Sequence, residues 1–291
     1  MISYLQQNLF FTALLFLLSL NWNCSSSKSI TANKTENTKN PIMEATNYWN
    51  QRSNAEAIDK AETYINKAIE QNPNDFESSI LLGKIKFTQA YFLEENQSAK
   101  ELLFYEGKEI CKKGVLNHPD FIQVYNNTNG DSSIKLLSSL ANSPESVLAG
   151  LYWWGQNLAH YLNNQSVINR INHRELIEVI MHRVLALDPG FDYSGPYRFF
   201  GMFYTKIPGL EISQSLSYFN QALKTNPDFL GNTVFMAEFL YQKSGNREKF
   251  NQLLNDVLNI NLTKHPDIMT DNLFYQKRAQ FLLENESSLF E

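Results

Sequence analysis

Five times along this chain a helix-like apolar run is halted by a proline that is followed within two residues by an apolar side chain or by an Asn-Asp pair leading to one. The copies are Asn72-Pro73-Asn74-Asp75-Phe76, His118-Pro119-Asp120-Phe121, Asp188-Pro189-Gly190-Phe191, Asn226-Pro227-Asp228-Phe229 and His265-Pro266-Asp267-Ile268. Proline has no N–H to give a helix ladder and pushes the residue before it out of the α region, so each copy stops a helix. Successive prolines lie 46, 70, 38 and 39 residues apart in a chain of 291. One stop signal at near-regular spacing predicts stacked copies of one supersecondary unit, a repeat solenoid.

The runs between the stops carry helical periodicity. Ala57, Ala61, Tyr64, Ile65, Ala68 and Ile69 recur at spacings of three and four, which places them on one face of a helix closing at Pro73. Ile80, Leu81, Leu82, Ile85 and Phe87 predict a second helix ahead of Tyr91-Phe92-Leu93. Ser143-Pro144-Glu145 reads as a helix start, with a capping hydroxyl, proline at the first helical position and a carboxylate near the positive end of the dipole. No stretch alternates apolar and polar residues as a strand would. The stretch Asn126 to Asp131 is the clearest loop, and the longest gap between prolines is expected to hold an irregular insertion or a decayed unit there. The fold class is all-α, a solenoid of helical hairpins.

Composition supports a folded chain and narrows its partners. A 43% hydrophobic and 13% aromatic content is ample for a core. A net charge of -5 without clustered Lys or Arg argues against nucleic acid. With 12 glycines and no Gly-rich phosphate loop, nucleotide chemistry is disfavoured as well. The apolar run Leu9 to Leu20, followed by Cys24, has the length of a signal-peptide core with a lipid-accepting cysteine behind it, although Asn21-Trp22-Asn23 departs from the usual residues before such a cysteine. This predicts a signal peptide over 1–23, a polar tether over 24–42 behind lipidated Cys24, and a folded domain over 43–291 of an exported protein held on a membrane through lipid. Cys111, the other cysteine, is expected to be a buried core thiol.

The unit ending at Pro227 resembles the tetratricopeptide repeat, a helical hairpin of about 34 residues. Tyr197, Phe200-Gly201 and Tyr204 take the first-helix places of that family; Ser215, Phe219, Ala222 and Pro227 take those of the second. Small residues fall where helices touch, because an interaxial distance of about 8–10 Å leaves no room for a long side chain. Larger blocks resemble the TatT family, the T component of TRAP-type transporters, exported lipoproteins with divergent tetratricopeptide repeats. These blocks are Leu151-Tyr152-Trp153-Trp154-Gly155-Gln156-Asn157-Leu158, the run from Met181 to Pro189 leading into Gly195-Pro196-Tyr197-Arg198-Phe199-Phe200-Gly201, and the stretch from Asn226 to Asn232. The resemblance implies a non-enzymatic periplasmic lipoprotein that docks the substrate-binding protein of a TRAP system and binds or hands over a small apolar or carboxylated ligand. The resemblance is also compatible with a ring-like homo-oligomer such as a trimer.

Candidate site residues follow from what must be packed and what is left over. His118, His160, His173, His182 and His265 are dispersed, and neither metal-ligand spacing nor a cofactor motif is present. Glu175, Glu178 and His182 share a helix face as solvated pairs do, which leaves a hydrolase as the weakest reading. Tyr152-Trp153-Trp154 must spread around a helix, since neighbours differ by about 100°. Trp154 and Gly155 are assigned to repeat packing, as are Tyr197, Phe200, Gly201, Tyr204, Phe219 and Ala222. Trp153 and Asn157 are expected to line a cleft on the concave face of stacked hairpins. Arg198 is expected either to meet a ligand carboxylate or to bridge to a neighbouring repeat. The alternative function is a generic tetratricopeptide scaffold for envelope protein–protein interactions.

Overall fold

The chain is described over residues 40–290 in a computed structural model; the segment 1–23, Cys24 and the tether as far as Lys39 lie outside the described residues. Helix α1 (Pro41–Trp49) begins inside the stretch expected as tether, because Asn40 Oδ1 accepts the Ile42 N–H at 3.1 Å and Pro41 occupies the first turn. It pairs with α2 (Ala55–Gln71), whose Ala57, Ile58, Ala61, Ile65 and Ala68 are buried on one face. Next come α3 (Phe76–Thr88), continued by a π-helix over Gln89–Leu93, and α4 (Gln97–Asn117). The remaining pairs are α7 (Leu148–Leu162) with α8 (Val167–Leu187), and α9 (Phe191–Thr205) with α10 (Ile212–Thr225). The fifth is α11 (Leu230–Phe235), extended by a π-helix over Met236–Tyr241, with α12 (Arg247–Leu258). The described residues form an all-α, solenoid-like fold with no strand among them.

The proline stops mark these hairpins. The second helices of the first four pairs end at Gln71, Asn117, Leu187 and Thr225, each two residues before Pro73, Pro119, Pro189 or Pro227. Pro266 behaves differently: α12 ends at Leu258, and Pro266 opens a 3₁₀ turn, Pro266–Ile268, that leads into α13 (Met269–Glu284) and α14 (Glu286–Leu289). The long gap holds two short helices, α5 (Pro119–Asn127) and α6 (Ser132–Ala141), rather than irregular chain. Ser143 does not cap α7. Its Oγ donates back to the Ser139 carbonyl at 3.2 Å, closing α6, and α7 is entered through a 3₁₀ turn at Glu145–Val147.

Within three hairpins a glycine on the first helix receives a large side chain from the second. A Cβ on Gly83 would lie 2.1 Å from Cys111 Sγ, on Gly155 2.5 Å from Met181 Sδ, and on Gly201 2.8 Å from the Phe219 ring. Those contacts are the small-residue requirement that the sequence spacing predicted, and they explain why the Cys111 thiol is fully buried.

Helix α13 packs back on the first hairpin. Arg52 Nη2 donates to both oxygens of Asp271 at 2.8 and 2.9 Å, and Phe274 shares a core with Ala45, Trp49 and Ile58. Phe92 meets Phe274 and Tyr275, its ring centre 5.1 Å from that of Phe274 in a tilted contact and 5.1 Å from that of Tyr275 edge to face. The expected open concave face is therefore closed. Phe87, Tyr91, Phe104, Trp153, Phe235 and Phe239 fill the interior. The two π-helices meet there, with Tyr91 Oη donating to Glu238 Oε2 at 2.5 Å.

Candidate functional site

Helix α7 is the central element, touching α3, α4, α8 and α9, and all of its residues except Ala149 and Tyr161 are buried. Tyr152, Trp153 and Trp154 are thus all in the core, 1%, 7% and 2% exposed, against the expectation that one must face a cleft. A helix surrounded on every side has no free face for a cleft to open on. Trp153 lies 5.5 Å from Phe87 and carries the Lys84 ammonium 5.2 Å above its ring. Asn157 Nδ2 donates to the Trp153 carbonyl at 2.8 Å and the Gly83 carbonyl at 3.2 Å. Both residues bind the hairpins together and neither lines a cavity. Trp154 and Gly155 pack as expected, as do Phe200, Gly201, Phe219 and Ala222, while Tyr197 and Tyr204 are half-buried beside Tyr218.

Arg198 finds its carboxylate within its own chain. Its Nη2 donates to Asp192 Oδ2 at 2.7 Å and to Tyr152 Oη at 3.1 Å, and its Nη1 to Asn232 Oδ1 at 2.9 Å and the Tyr193 carbonyl at 3.2 Å. Burial alone would lower the guanidinium's pKa, but Tyr152, Tyr275 and Asp192 around it hold it above its ordinary value. The network fastens a turn in which Asp192, Tyr193 and Ser194 have φ of 49°, 56° and 67°. Non-glycine residues in that left-handed region cost about 1–3 kcal/mol each. The arrangement explains the Gly195-Pro196 start of the regular part of α9, since a Cβ on Gly195 would lie 2.4 Å from Tyr152 Oη. Arg198 is therefore a structural cation, its Nη1 and Nη2 donating within the chain and its buried Nε left without a partner.

A different place has the properties sought. A cavity of about 600 Å³ lies among the end of α7, the first half of α8, the end of α9 and Lys243. Leu162, Val167, Ile171, Ile177, Met202 and Phe203 form its apolar walls. Arg170, Arg174, Lys206 and Lys243 line it too, and no Asp or Glu does. Arg174 is paired to Glu178 at 3.1 Å. Arg170, Lys206 and Lys243 make no side-chain ion pair or hydrogen bond with any described residue. Lys206 is an exposed residue whose ammonium sits 5.3 Å from the centre of the Phe239 ring, and desolvation lowers its pKa. Unpaired cations beside apolar walls can hold an anionic group.

Behind Phe239 lies the buried imidazole of His160, in contact with Phe87, Tyr91 and Phe104. Its Nε2 has no hydrogen-bond partner, and burial pushes its pKa down to about 4. The Glu175, Glu178 and His182 face lies in a shallow hollow with Arg183, where Glu178 pairs with Arg174 and His182 stacks on Phe200 at 4.4 Å. Among the described residues no group of three His, Cys, Asp or Glu side chains is placed to hold a metal ion.

Sequence reasoning missed the cavity. The available signal was on α8, where Val167, Ile168 and Ile171 are apolar but fall off the face formed by Ile177, Ile180, Met181 and Val184. No described helix is long and apolar enough to cross a membrane. Residues 93–290 match the family described as TRAP transporter T-component, a span that starts at the last residue of the first π-helix and runs through the inserted helices and the three later hairpins. No curated protein gives a significant match.

Proposed function

The chain belongs to the TRAP transporter T-component family, and on that premise we propose that its folded domain docks a periplasmic substrate-binding protein and hands over a small apolar or carboxylated ligand. Its role lies in TRAP transport. The finer reading is carried by the cavity of about 600 Å³, whose apolar walls and three unpaired cations suit an organic ligand with an acidic group. That cavity takes the place of the cleft expected around Trp153, Asn157 and Arg198. In this reading the protein works outside the permease, exported and anchored through lipid on Cys24, and associates as a homo-oligomer.

Two measurements test it. A pull-down through residues 40–290 is expected to recover a substrate-binding protein of a TRAP system. Native mass spectrometry of gently purified protein is expected to show a retained small molecule. Recovery of unrelated envelope proteins only, with a clean ligand-free mass, would overturn this reading in favour of a general interaction scaffold.

A further inference from the structure

We infer that the cavity is built for an amphipathic organic anion, an acyl chain ending in a carboxylate, rather than for a short polar acid or a neutral apolar molecule. This rests on the ligand-holding reading above and names the class of ligand. Three features of the same place carry it. The first is charge: in a chain of net charge -5, four cations converge on one cavity whose lining has no carboxylate. Arg174 is already paired to Glu178, so an anionic head gains chiefly from the other three, and a cationic ligand gains from none. Lys206 adds a desolvated ammonium, and a guanidinium such as Arg170 can meet a carboxylate through two parallel N–H donors.

The second feature is the walls. Leu162, Ile177, Met202 and Phe203 are apolar along their whole side chains, and Asn163 is the one uncharged polar side chain in the lining. A dicarboxylate or sugar acid would leave its polar groups facing hydrocarbon, where an unmade hydrogen bond is costly. The third is the lip. Val167, Ile168 and Ile171 are 57%, 71% and 66% exposed on the first turns of α8, and Val167 and Ile171 also line the cavity. Two branched aliphatic side chains, Val167 and Ile171, held in water where they line the cavity match a ligand whose apolar tail is longer than the enclosed space.

The test is calorimetric titration of the folded domain, below micellar concentrations, with dodecanoate, dodecyltrimethylammonium and succinate. Dodecanoate is expected to bind at least tenfold more tightly than either of the others. Arg170→Ala, Lys206→Ala and Lys243→Ala are each expected to weaken it severalfold, with circular dichroism unchanged. Arg247→Ala, which removes a cation paired to Glu286 on another face, is expected to leave it unchanged. Equal affinity for dodecyltrimethylammonium, or equal weakening in Arg247→Ala, would overturn the assignment by showing unselective detergent-like binding. Tight binding of succinate alone would overturn the acyl class while leaving the ligand-holding reading in place. Binding of none of the three would overturn the acyl class, and a clean ligand-free mass for the native protein would then remove the ligand-holding reading as well.

Discussion

Two cations lie on α9, Arg198 in the first turn of its regular part and Lys206 at its C-terminal cap, and the two are used in opposite ways. Arg198 is 2% exposed and surrounded by acceptors from its own chain, chief among them Asp192. Lys206 opens on a cavity with an aromatic ring beneath it, no carboxylate in the lining and no ion pair of its own. The chain thus supplies a counter-ion where a charge must be buried for the fold and withholds one where a cavity is left open. A cation's partner inside the protein, more than its residue type or its motif, separates a structural charge from one available to a ligand.

The comparison can be broken most sharply at Arg198. Arg198→Ala leaves the half-buried Asp192 without its cation and the left-handed turn unfastened, and is expected to cost about 3 kcal/mol in urea denaturation. A loss below about 1 kcal/mol would show that the network does not hold the turn. Between the two ends lies His160, whose pKa in the fold is about 4 against an ordinary 6.5. The unfolded chain takes up that proton first as pH falls, so its contribution is complete above pH 6.5 and is lost progressively toward pH 4. At about 1.4 kcal/mol per pH unit the total is roughly 3 kcal/mol. Glu238, Arg278 and Lys206 all face this imidazole electrostatically, so the check is the difference between wild-type and His160→Phe stability curves over that range. A flat difference curve would show that the imidazole is not kept neutral by burial.

Gly201→Ala forces a Cβ against the Phe219 ring and is expected to lower stability by about 1–3 kcal/mol, read as a shift in denaturation midpoint with unchanged slope. The smallest effect is expected at the other end of α9. Lys206→Ala should stay within about 0.5 kcal/mol of wild type, since it loses no ion pair or hydrogen bond and only the contact with the Phe239 ring. A large loss of stability there would remove the distinction between the two cations.

Much of the fold could be read from spacing. The proline stops located the ends of four second helices, and Gly155 and Gly201 were recognised as close-packing positions, because helix stops and helix contacts depend on residues near in sequence or on backbone approach. The site could not be read this way. The Tyr152-Trp153-Trp154 run looked too wide to bury, yet α7 is covered on all sides by helices from three other hairpins, a matter of long-range packing. Arg198 looked available because its partner Asp192 lies in a turn whose left-handed residues carry no local sequence signal.

The sequence by itself determined the helical hairpins, their stops and the small residues that let them touch, since each follows from backbone chemistry within or between adjacent helices. The tertiary structure alone decided that α13 closes on the first hairpin and fills the interior, that Arg198 meets Asp192, and that the cations of α8, α9 and Lys243 share one cavity. Those outcomes depend on which distant side chains meet, and so on which charges burial pairs and which it leaves without a partner.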